Sequence, residues 1–341
     1  MIGIIKLAHD CTDYFLTDTN ETKDKGSAYS CCYEVINGTR RGFLKAFDYS
    51  AADRVGIEDP EAEIQNILQA YQTEREILKK CKDSKLKNVI ELYDHGAYNL
   101  QEVITYPRVV YLILEYAEGG DVTEWLQKTN TIKWKLTSLH QLTKGLREIH
   151  NLSIAHQDIK PTNTVISTTT KLSDFGSAVS VYTSEESLPK RLKKAIAGSW
   201  AYAPPDLLYG YIHSDPISRR IGCDLYLLGS MIAFYFTDMS MTSLIKDNLA
   251  EDICWTNPAT YGRFSEVETY LNSAFNKALI DLENRIEISE LKQPLTFVVK
   301  CLCQPNSKLR GHPKTILYRG PNYDLERFLT IFSRLIFNLK N

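Results

Sequence analysis

The sequence lacks a surplus of charge of either sign. Its 40 basic and 42 acidic residues give a formal net charge of −2, which disfavours binding of nucleic acid or anionic lipid through an overall electrostatic field. A strongly apolar stretch, residues 328–339, is too short to cross a bilayer. The first residues also lack a basic start followed by a long apolar core, so no secretory signal is expected. We therefore predict neither a nucleic-acid partner nor a transmembrane segment.

Paired cysteine motifs are lacking as well. The eight cysteines form no CxxC pair and have no histidines at zinc-finger spacing, so neither a structural zinc site nor a disulfide framework is indicated. Scattered reduced thiols are typical of cytosolic proteins. The cysteine pattern therefore predicts a cytoplasmic protein.

Strand patterns are present in the first third of the chain. Two short aromatic and β-branched runs, "YSCCYEVI" and "GFLKAFDY", flank an Asn-Gly turn, which predicts a hairpin. Apolar spacing then predicts a helix from about Glu61 to Lys80. Two more strand-like runs follow, "NVIELYDHG" and "RVVYLILEYAEGG", and from Asp121 onward the periodicity is mostly helical.

This order predicts an α+β fold. A small β-rich N-terminal lobe with one main helix occupies residues 1–116, and a larger, mostly helical C-terminal lobe occupies residues 117–320. The apolar run from Phe328 to Leu339 predicts a docked helix within a C-terminal extension, residues 321–341. The alternative for that helix is docking of a partner or a membrane surface.

Two short motifs suggest a chemistry. They are "HQDIKPTN", which begins at His156, and "DFG", which begins at Asp174. Together they resemble the catalytic loop and metal-binding motif of the eukaryotic-type protein kinase superfamily, of the kind that lacks the usual arginine before the catalytic aspartate. The resemblance runs from about Lys25 to about Pro313 and implies a bilobal protein kinase-like fold.

The resemblance implies a role for four polar residues of the two motifs. Asp158 would orient the substrate hydroxyl and accept its proton, and Lys160 would steady the γ-phosphate. Asn163 and Asp174 would hold Mg²⁺ against the phosphates of ATP. The lysine at position 160 is typical of serine/threonine kinases, as is a hydroxyl at Ser199, which would contact the catalytic aspartate and lysine.

A lysine within an apolar strand is also part of the pattern. Lys45 in "GFLKAF" matches the lysine that binds the α- and β-phosphates, and a buried lysine is costly unless it is paired. Glu74 stands where the family places the partner carboxylate on a helix. Glu76 is the alternative partner.

The run "LILEYAEGGD" resembles the connector that binds adenine. Leu114 would be the gatekeeper beside the nucleotide. The main chain of Glu115 and Ala117 would bind the adenine edge, and Asp121 would lie near the ribose.

The glycine-rich loop departs from the family pattern. Only Gly26 is present where three glycines are usual, and Tyr29 is the aromatic residue that would fold over the γ-phosphate. Fewer glycines leave fewer places where main-chain N–H groups can approach phosphates closely. Phe43 also replaces the small residue expected on the face of the strand that carries Lys45. Both departures raise the alternative of a pseudokinase.

The end of the activation segment, residues 174–206, resembles the family in its scaffold residues. In "GSWAYAPPDLL" Asp206 stands where a glutamate is usual, and Arg310 is placed as its buried partner. Asp224 resembles the aspartate that braces the main chain of the catalytic loop. These roles are structural.

Gln157 stands where many kinases have an arginine that binds a phosphorylated residue of the activation segment. A neutral amide cannot make that charge pair. We therefore predict activity without phosphorylation of Thr183 or Ser184.

Three functions are compatible with these residues. The leading one is an ATP- and Mg²⁺-dependent kinase that phosphorylates serine or threonine of a protein substrate. The others are a pseudokinase that acts as a binding module and a kinase of small molecules on the same fold. Partner docking through the C-terminal helix would be compatible with the first two.

Overall fold

The computed structural model describes residues 15–16, 30–47, 49, 59–99, 108–188, 196–319 and 323–339. The chain divides into two compact units, the first ending at Glu118 and the second beginning at Gly119. The lobe boundaries predicted from the sequence stay a prediction.

The first unit contains a five-stranded antiparallel sheet with the strand order β1-β2-β3-β5-β4. The strands are β1 Phe15–Leu16, β2 Ser30–Asn37, β3 Arg40–Phe47, β4 Leu92–Asn99 and β5 Arg108–Glu115. The β2–β3 hairpin turns at Gly38, whose φ of 58° lies in the left-handed region that glycine tolerates. Buried apolar residues of β2, β3 and β5 form one core cluster of this sheet, which contains Tyr33, Val35, Leu44, Tyr111 and Ile113.

Helix α1, Pro60–Asp83, is the main helix of this unit. It begins after Asp59, whose carboxylate accepts a hydrogen bond from Ala62 N at 3.0 Å, and it ends near Lys80 and Lys82, whose charges suit a helix C-terminus. The helix extends three residues beyond the predicted end at Lys80, since no glycine or proline stops it there. It packs against β4 and β5.

The second unit is mostly helical. Its helices are α2 Val122–Lys128, α3 Ile132–Asn151, α4 Pro205–Leu208, α5 Pro216–Thr237, α6 Met241–Lys246, α7 Phe264–Arg285, α8 Ser289–Leu302, α9 Pro313–Arg319 and α10 Glu326–Asn338. Its short strands are β6 Ile154–Ala155, β7 Thr164–Ile166, β8 Thr170–Leu172 and β9 Val179–Ser180. β6 pairs with β9 and β7 pairs with β8, so two small ribbons flank the loop that begins at His156. A sheet unit followed by a helical unit confirms the predicted fold class.

Helix α5 lies at the centre of the second unit. It packs against α3, α6, α7 and α8, and its residues from Ile221 to Ala233 are all buried. Asp215 caps its first turn by accepting from Ser218 N at 2.8 Å. This rigid central helix carries the groups that hold the catalytic loop.

The C-terminal helix α10 packs against α3 and α8 through Phe328, Phe332 and Leu335. The docked helix expected from the apolar run is therefore present. Arg147 of α3 pairs with Glu326 at 2.7 Å beside it. Partner docking through this helix stays a prediction, and among the described residues no helix is long and apolar enough to cross a membrane.

The seven cysteines among the described residues are free thiols. Six are buried, and burial raises the pKa of Cys81 and Cys301 to about 12. These thiols are therefore weak nucleophiles at neutral pH. The cytoplasmic location expected from the cysteine pattern stays a prediction.

Candidate active site

Lys45 and Glu74 form a buried ion pair in the first unit. Nζ of Lys45, on β3, donates to the two carboxylate oxygens of Glu74, on α1, at 2.9 and 3.0 Å. The lysine is 7% exposed and the glutamate 1% exposed. The alternative partner, Glu76, instead accepts from Arg75 at 2.7 Å, and that hydrogen bond lowers the pKa of Glu76. Helical phase therefore selects Glu74 over Glu76, because Glu74 shares the buried face of α1 with Tyr71 and Leu78.

The connector residues lie at the end of β5. Leu114 is buried and stands opposite Phe43 of β3 in the sheet register. The N–H of Glu115 donates to the carbonyl of Glu91 at 2.8 Å, which fixes the end of the strand. Ala117 follows two residues later within the same unit. These contacts define the path of the main chain at which adenine binding was predicted.

Arg41 is a residue that the sequence reasoning missed. Its Nε donates to Glu34 at 2.7 Å, its guanidinium lies 4.0 Å from the ring centroid of Tyr116, and it also pairs with Glu118. The hydrogen bond from Arg41 lowers the pKa of Glu34, and the same bond raises that of Arg41. Arg41 thus ties the connector to β2. Its sequence context offers no motif that would have found it.

The glycine-loop residues Gly26 and Tyr29 lie outside the described residues. Phe43 is partly buried and shares a strand face with Lys45, as expected from strand alternation.

The second unit brings Asp158, Lys160 and Asn163 together. Oδ2 of Asp158 accepts from Nζ of Lys160 at 2.8 Å and from Nδ2 of Asn163 at 2.9 Å. Oδ1 of Asp158 accepts from the main-chain N–H of Ser199 at 2.8 Å. A side chain at Gly198 would lie 2.6 Å from the same oxygen, so only glycine fits beside the aspartate. The contact from Ser199 is thus made by its main chain, whereas the sequence suggested its hydroxyl.

Asp224 of α5 holds the main chain of the catalytic loop. Its carboxylate accepts from His156 N at 2.8 Å, from Gln157 N at 2.7 Å and from the His150 ring at 2.9 Å. Gln157 has a φ of 62°, which is uncommon for a residue other than glycine. The bracing predicted for Asp224 is present, and it secures this strained turn just before Asp158.

Asp174 begins a short 3₁₀ turn, Phe175–Ser177, with a φ of 54° and with Oδ1 accepting from Gly176 N at 3.4 Å. The preceding residue, Ser173, donates through both N–H and hydroxyl to the carbonyl of Asn163, at 2.9 and 3.0 Å. The chain segments that carry Asn163 and Asp174 are thus fastened side by side. Phe175 anchors the turn in the core at 1% exposure.

Asp121 caps α2, since its Oδ1 accepts from Glu124 N at 3.0 Å. This capping role explains its place at the start of the helix without reference to a ligand. The role predicted for it near a ribose is not tested by this contact.

Arg310 and Asp206 form the predicted buried pair, with Nη2 of Arg310 donating to Oδ1 of Asp206 at 2.8 Å. Arg310 is 1% exposed and also donates to the carbonyls of Gly222, Gln304 and Pro305. Burial acts to lower the pKa of Arg310, but the charge and hydrogen bond of Asp206 raise it overall. Arg310 thus fastens the end of the activation segment to α5.

Comparison with known proteins adds three relatives and one family. A family model described as the protein kinase domain matches residues 45–317. Human testis-specific serine/threonine-protein kinase 4 is 31% identical over 157 residues, which cover 42% of this chain and 48% of that protein. Aurora kinase from Dictyostelium discoideum is 25% identical over 245 residues, 69% of this chain and 57% of that protein. The probable serine/threonine-protein kinase HSL1 from Saccharomyces cerevisiae is 28% identical over 266 residues, 75% of this chain and 16% of that protein. The chain thus spans less than two thirds of the length of each of these relatives.

Proposed function

Because the chain belongs to the protein kinase domain family, we propose that it transfers the γ-phosphate of ATP to serine or threonine hydroxyls of a protein. The relatives reported above are named as serine/threonine kinases or as an Aurora kinase. The identity of the substrate is left open by those names.

The observation that carries the proposal is the hydrogen-bonded cluster around Asp158. Its carboxylate is held between Lys160 and Asn163 on one oxygen and Ser199 N on the other. A carboxylate fixed in this way can orient a hydroxyl and accept its proton, while the ammonium of Lys160 beside it can offset charge on the transferred phosphoryl group. Catalysis of phosphoryl transfer consists mainly of such positioning and charge stabilisation.

Lys45 is proposed to bind the α- and β-phosphates. Its pairing with Glu74 gives the ammonium a carboxylate partner within a buried strand, where an unpaired charge would be costly. The main chain of Glu115 and Ala117, with Leu114 beside it, is proposed to bind adenine. Gly26, Tyr29 and Asp121 keep their proposed nucleotide contacts, over the phosphates for the first two and at the ribose for the third.

Asn163 and Asp174 fit a magnesium site. Nδ2 of Asn163 is committed to the main chain and the carboxylate of Asp158, at 2.9 Å each, which makes Oδ1 the amide atom suited to a metal. One amide oxygen and one carboxylate, completed by phosphate oxygens, is the kind of oxygen set that Mg²⁺ uses in nucleotide sites. When bound, Mg²⁺ would offset the charge of the phosphates.

The activation segment is proposed to work without phosphorylation. Gln157 donates its side-chain amide to the carbonyl of Ser177 at 3.0 Å, which ties the catalytic loop to the start of the segment with no charge involved. A neutral amide cannot form a charge pair with a phosphate on Thr183 or Ser184. Alanine and glutamate at these two positions should therefore give similar rates.

The test is transfer of labelled γ-phosphate from Mg-ATP to the chain itself and to a generic basic protein, followed by identification of the labelled residue type. Asp174→Ala is the control for the metal site, and Asp281→Ala, far along α7, is a matched carboxylate control. Label on serine or threonine that Asp174→Ala abolishes and Asp281→Ala retains would support the proposal.

A pseudokinase is the rival outcome. No transfer and no thermal shift with Mg-ATP would favour it, and so would a shift that Asp174→Ala leaves intact. Label on a small molecule but on no protein would instead favour a small-molecule kinase.

A further inference from the structure

Arg220 is a buried arginine of α5 that contacts the main chain of the activation segment. Its Nη1 donates to the carbonyl oxygens of Ser180, Val181 and Thr183, at 3.0, 2.6 and 3.0 Å. The residue is 2% exposed. A buried cation is costly unless acceptors surround it, so these three carbonyls stabilise the guanidinium and are in turn drawn to one point.

The geometry of these contacts restricts the segment. Nη1 carries two hydrogens, so the three carbonyl oxygens share them. The carbonyls of Ser180, Val181 and Thr183 must therefore point toward the same nitrogen. Val181 is buried at 3% and its N–H donates to the carbonyl of Ser153 at 2.7 Å. Tyr182, between the anchored residues, is 69% exposed. The arginine therefore fixes the main chain and leaves the side chain of Tyr182 in solvent.

Arg220 and Asp224 stand four residues apart on α5 and so occupy the same helix face. Asp224 accepts from the N–H groups of the catalytic loop, and Arg220 donates to the carbonyls of the activation segment. The two held segments pair with each other as β6 and β9, through Ile154 with Ser180 and Ala155 with Val179. One face of α5 thus holds the chain at both strands of this ribbon. The carboxylate of Asp224 accepts from the N–H groups that follow β6, and the guanidinium of Arg220 donates to the carbonyls in and after β9.

We propose that Arg220 is a positioning residue that orders the activation segment through its main chain, in place of a phosphate bound by an arginine at position 157. The inference rests on the proposed kinase activity. Main-chain carbonyls are present whether or not Thr183 or Ser184 is modified, so the anchor is permanent. The segment so ordered begins at Asp174, six residues before Ser180, and its partner strand leads into His156 and Asp158.

The experiment compares four forms of the full chain: wild type, Arg220→Met, Arg220→Lys and Arg285→Met. Methionine keeps length and removes every donor, whereas lysine restores a charged donor. Arg285 is the matched control, since it also donates to a carbonyl near α5, that of Thr237 at 3.4 Å, but at the far end of the helix. The kcat, the KM for ATP and the hydrogen exchange of residues 176–188 are measured for each form, and again with both Thr183 and Ser184 changed to alanine.

We expect Arg220→Met to lower kcat by about tenfold or more while KM for ATP changes by less than about threefold. Exchange in residues 176–188 should rise, Arg220→Lys should recover part of both effects, and Arg285→Met should match wild type. The same differences should persist in the double-alanine background.

Three results would overturn the inference. The first is a kcat for Arg220→Met within about twofold of wild type. The second is a loss that disappears in the double-alanine background, since Arg220 would then be reading a phosphate. The third is a loss of kcat that is as large in Arg220→Lys as in Arg220→Met, together with raised hydrogen exchange throughout α5. That result would mean that Arg220 has a general packing role.

The two proposals fail in different ways. If wild type transfers no phosphate, the proposed activity is wrong, but hydrogen exchange still tests the anchor. Unchanged exchange of residues 176–188 in Arg220→Met would then refute the role of Arg220 by itself.

Discussion

The two compact units hold their candidate site residues by different kinds of contact. In the first unit Lys45 is held by the side chain of Glu74, which lies 29 residues away in the chain. In the second unit Asp224 accepts from two main-chain N–H groups of the catalytic loop, and Asp158 accepts from the main-chain N–H of Ser199 as well as from the side chains of Lys160 and Asn163. A contact between two side chains can be removed by one substitution, whereas main-chain contacts persist through most substitutions of the residues that make them. We infer that the first unit is the more adjustable half and the second the more permanent one.

Removing a buried charge from the second unit should have the largest effect on stability. Arg310→Met leaves Asp206 as an uncompensated buried carboxylate and three carbonyls without their donor. We expect the free energy of unfolding to fall by about 3–5 kcal/mol, measured by chemical denaturation.

The control is Arg263→Met, which removes an exposed arginine paired with Glu266 at 2.7 Å. It should leave unfolding unchanged within error. Equal effects of the two substitutions would contradict the stabilising role assigned to the buried pair of Arg310 and Asp206.

Glu74→Gln removes the negative charge beside Lys45 in the first unit while keeping the shape of the side chain. Lys45 then loses a charged acceptor, which we expect to cost about 1.5–3 kcal/mol of stability and to raise the KM for ATP. Denaturation and steady-state kinetics measure the two effects. Glu76→Gln, on the same helix and paired with Arg75 outside the core, should change neither. A similar KM in both variants would show that Lys45 does not need this partner.

Arg41→Met sharpens the comparison at the connector. The side chain is 36% exposed, so loss of its pairs with Glu34 and Glu118 should cost at most about 1 kcal/mol. The KM for ATP should nevertheless rise by about twofold to threefold, because the connector loses its tie to β2. Arg40→Met is the matched control, since Arg40 stacks on Tyr93 of β4 and pairs with Glu91, not with Glu34 or Glu118. A rise in KM that is equal in both variants would mean that the effect is one of surface charge.

The smallest expected effect is a pH dependence at α10. Ser333 of this helix contacts Nε2 of His140 at 3.1 Å, and burial, assisted by the charge of Lys144, lowers the pKa of His140. The unfolded chain therefore binds a proton more readily than the folded one. The contribution of His140 to the free energy of unfolding is therefore complete above the unfolded pKa of about 6.5. It declines as the pH falls below that value.

The free energies of unfolding of wild type and His140→Gln are measured by denaturation at about pH 7.5 and about pH 5.5. The change between the two pH values should differ between the two chains by less than about 1 kcal/mol. The variant should lose less stability on acidification. His95 and His312 have pKa values lowered by burial as well, so both chains retain some dependence. A steeper loss in the variant would contradict the assignment.

Local motifs made much of the fold predictable, as well as the grouping of the candidate site residues of the second unit. "HQDIKPTN" places Asp158, Lys160 and Asn163 within six residues, so a single loop suffices to bring them together. The hairpin followed from Asn37 and Gly38, since few sequences other than Asn-Gly suit that turn. The partner of Lys45 followed less directly, from the phase of a helix.

Other contacts had no pattern to reveal them. Arg220 binds main-chain carbonyls, which every residue possesses, so neither its position nor its partners mark it in the sequence. Arg41 meets Glu34, Tyr116 and Glu118 only after the sheet has formed. Gly198 could be predicted as part of a motif, but its closeness to Asp158 depends on how the two loops fold together.

The face of α1 that carries Glu74 has a mechanical consequence. Successive residues of an α-helix are separated by about 100° around its axis. Rotation of the whole helix about its axis by that amount, in one direction, would place Arg75 instead of Glu74 in front of Lys45. The attraction would then become a repulsion. Lys45 is therefore paired in only one rotational position of the helix, and rotation of the helix about its axis is opposed by charge as well as by packing.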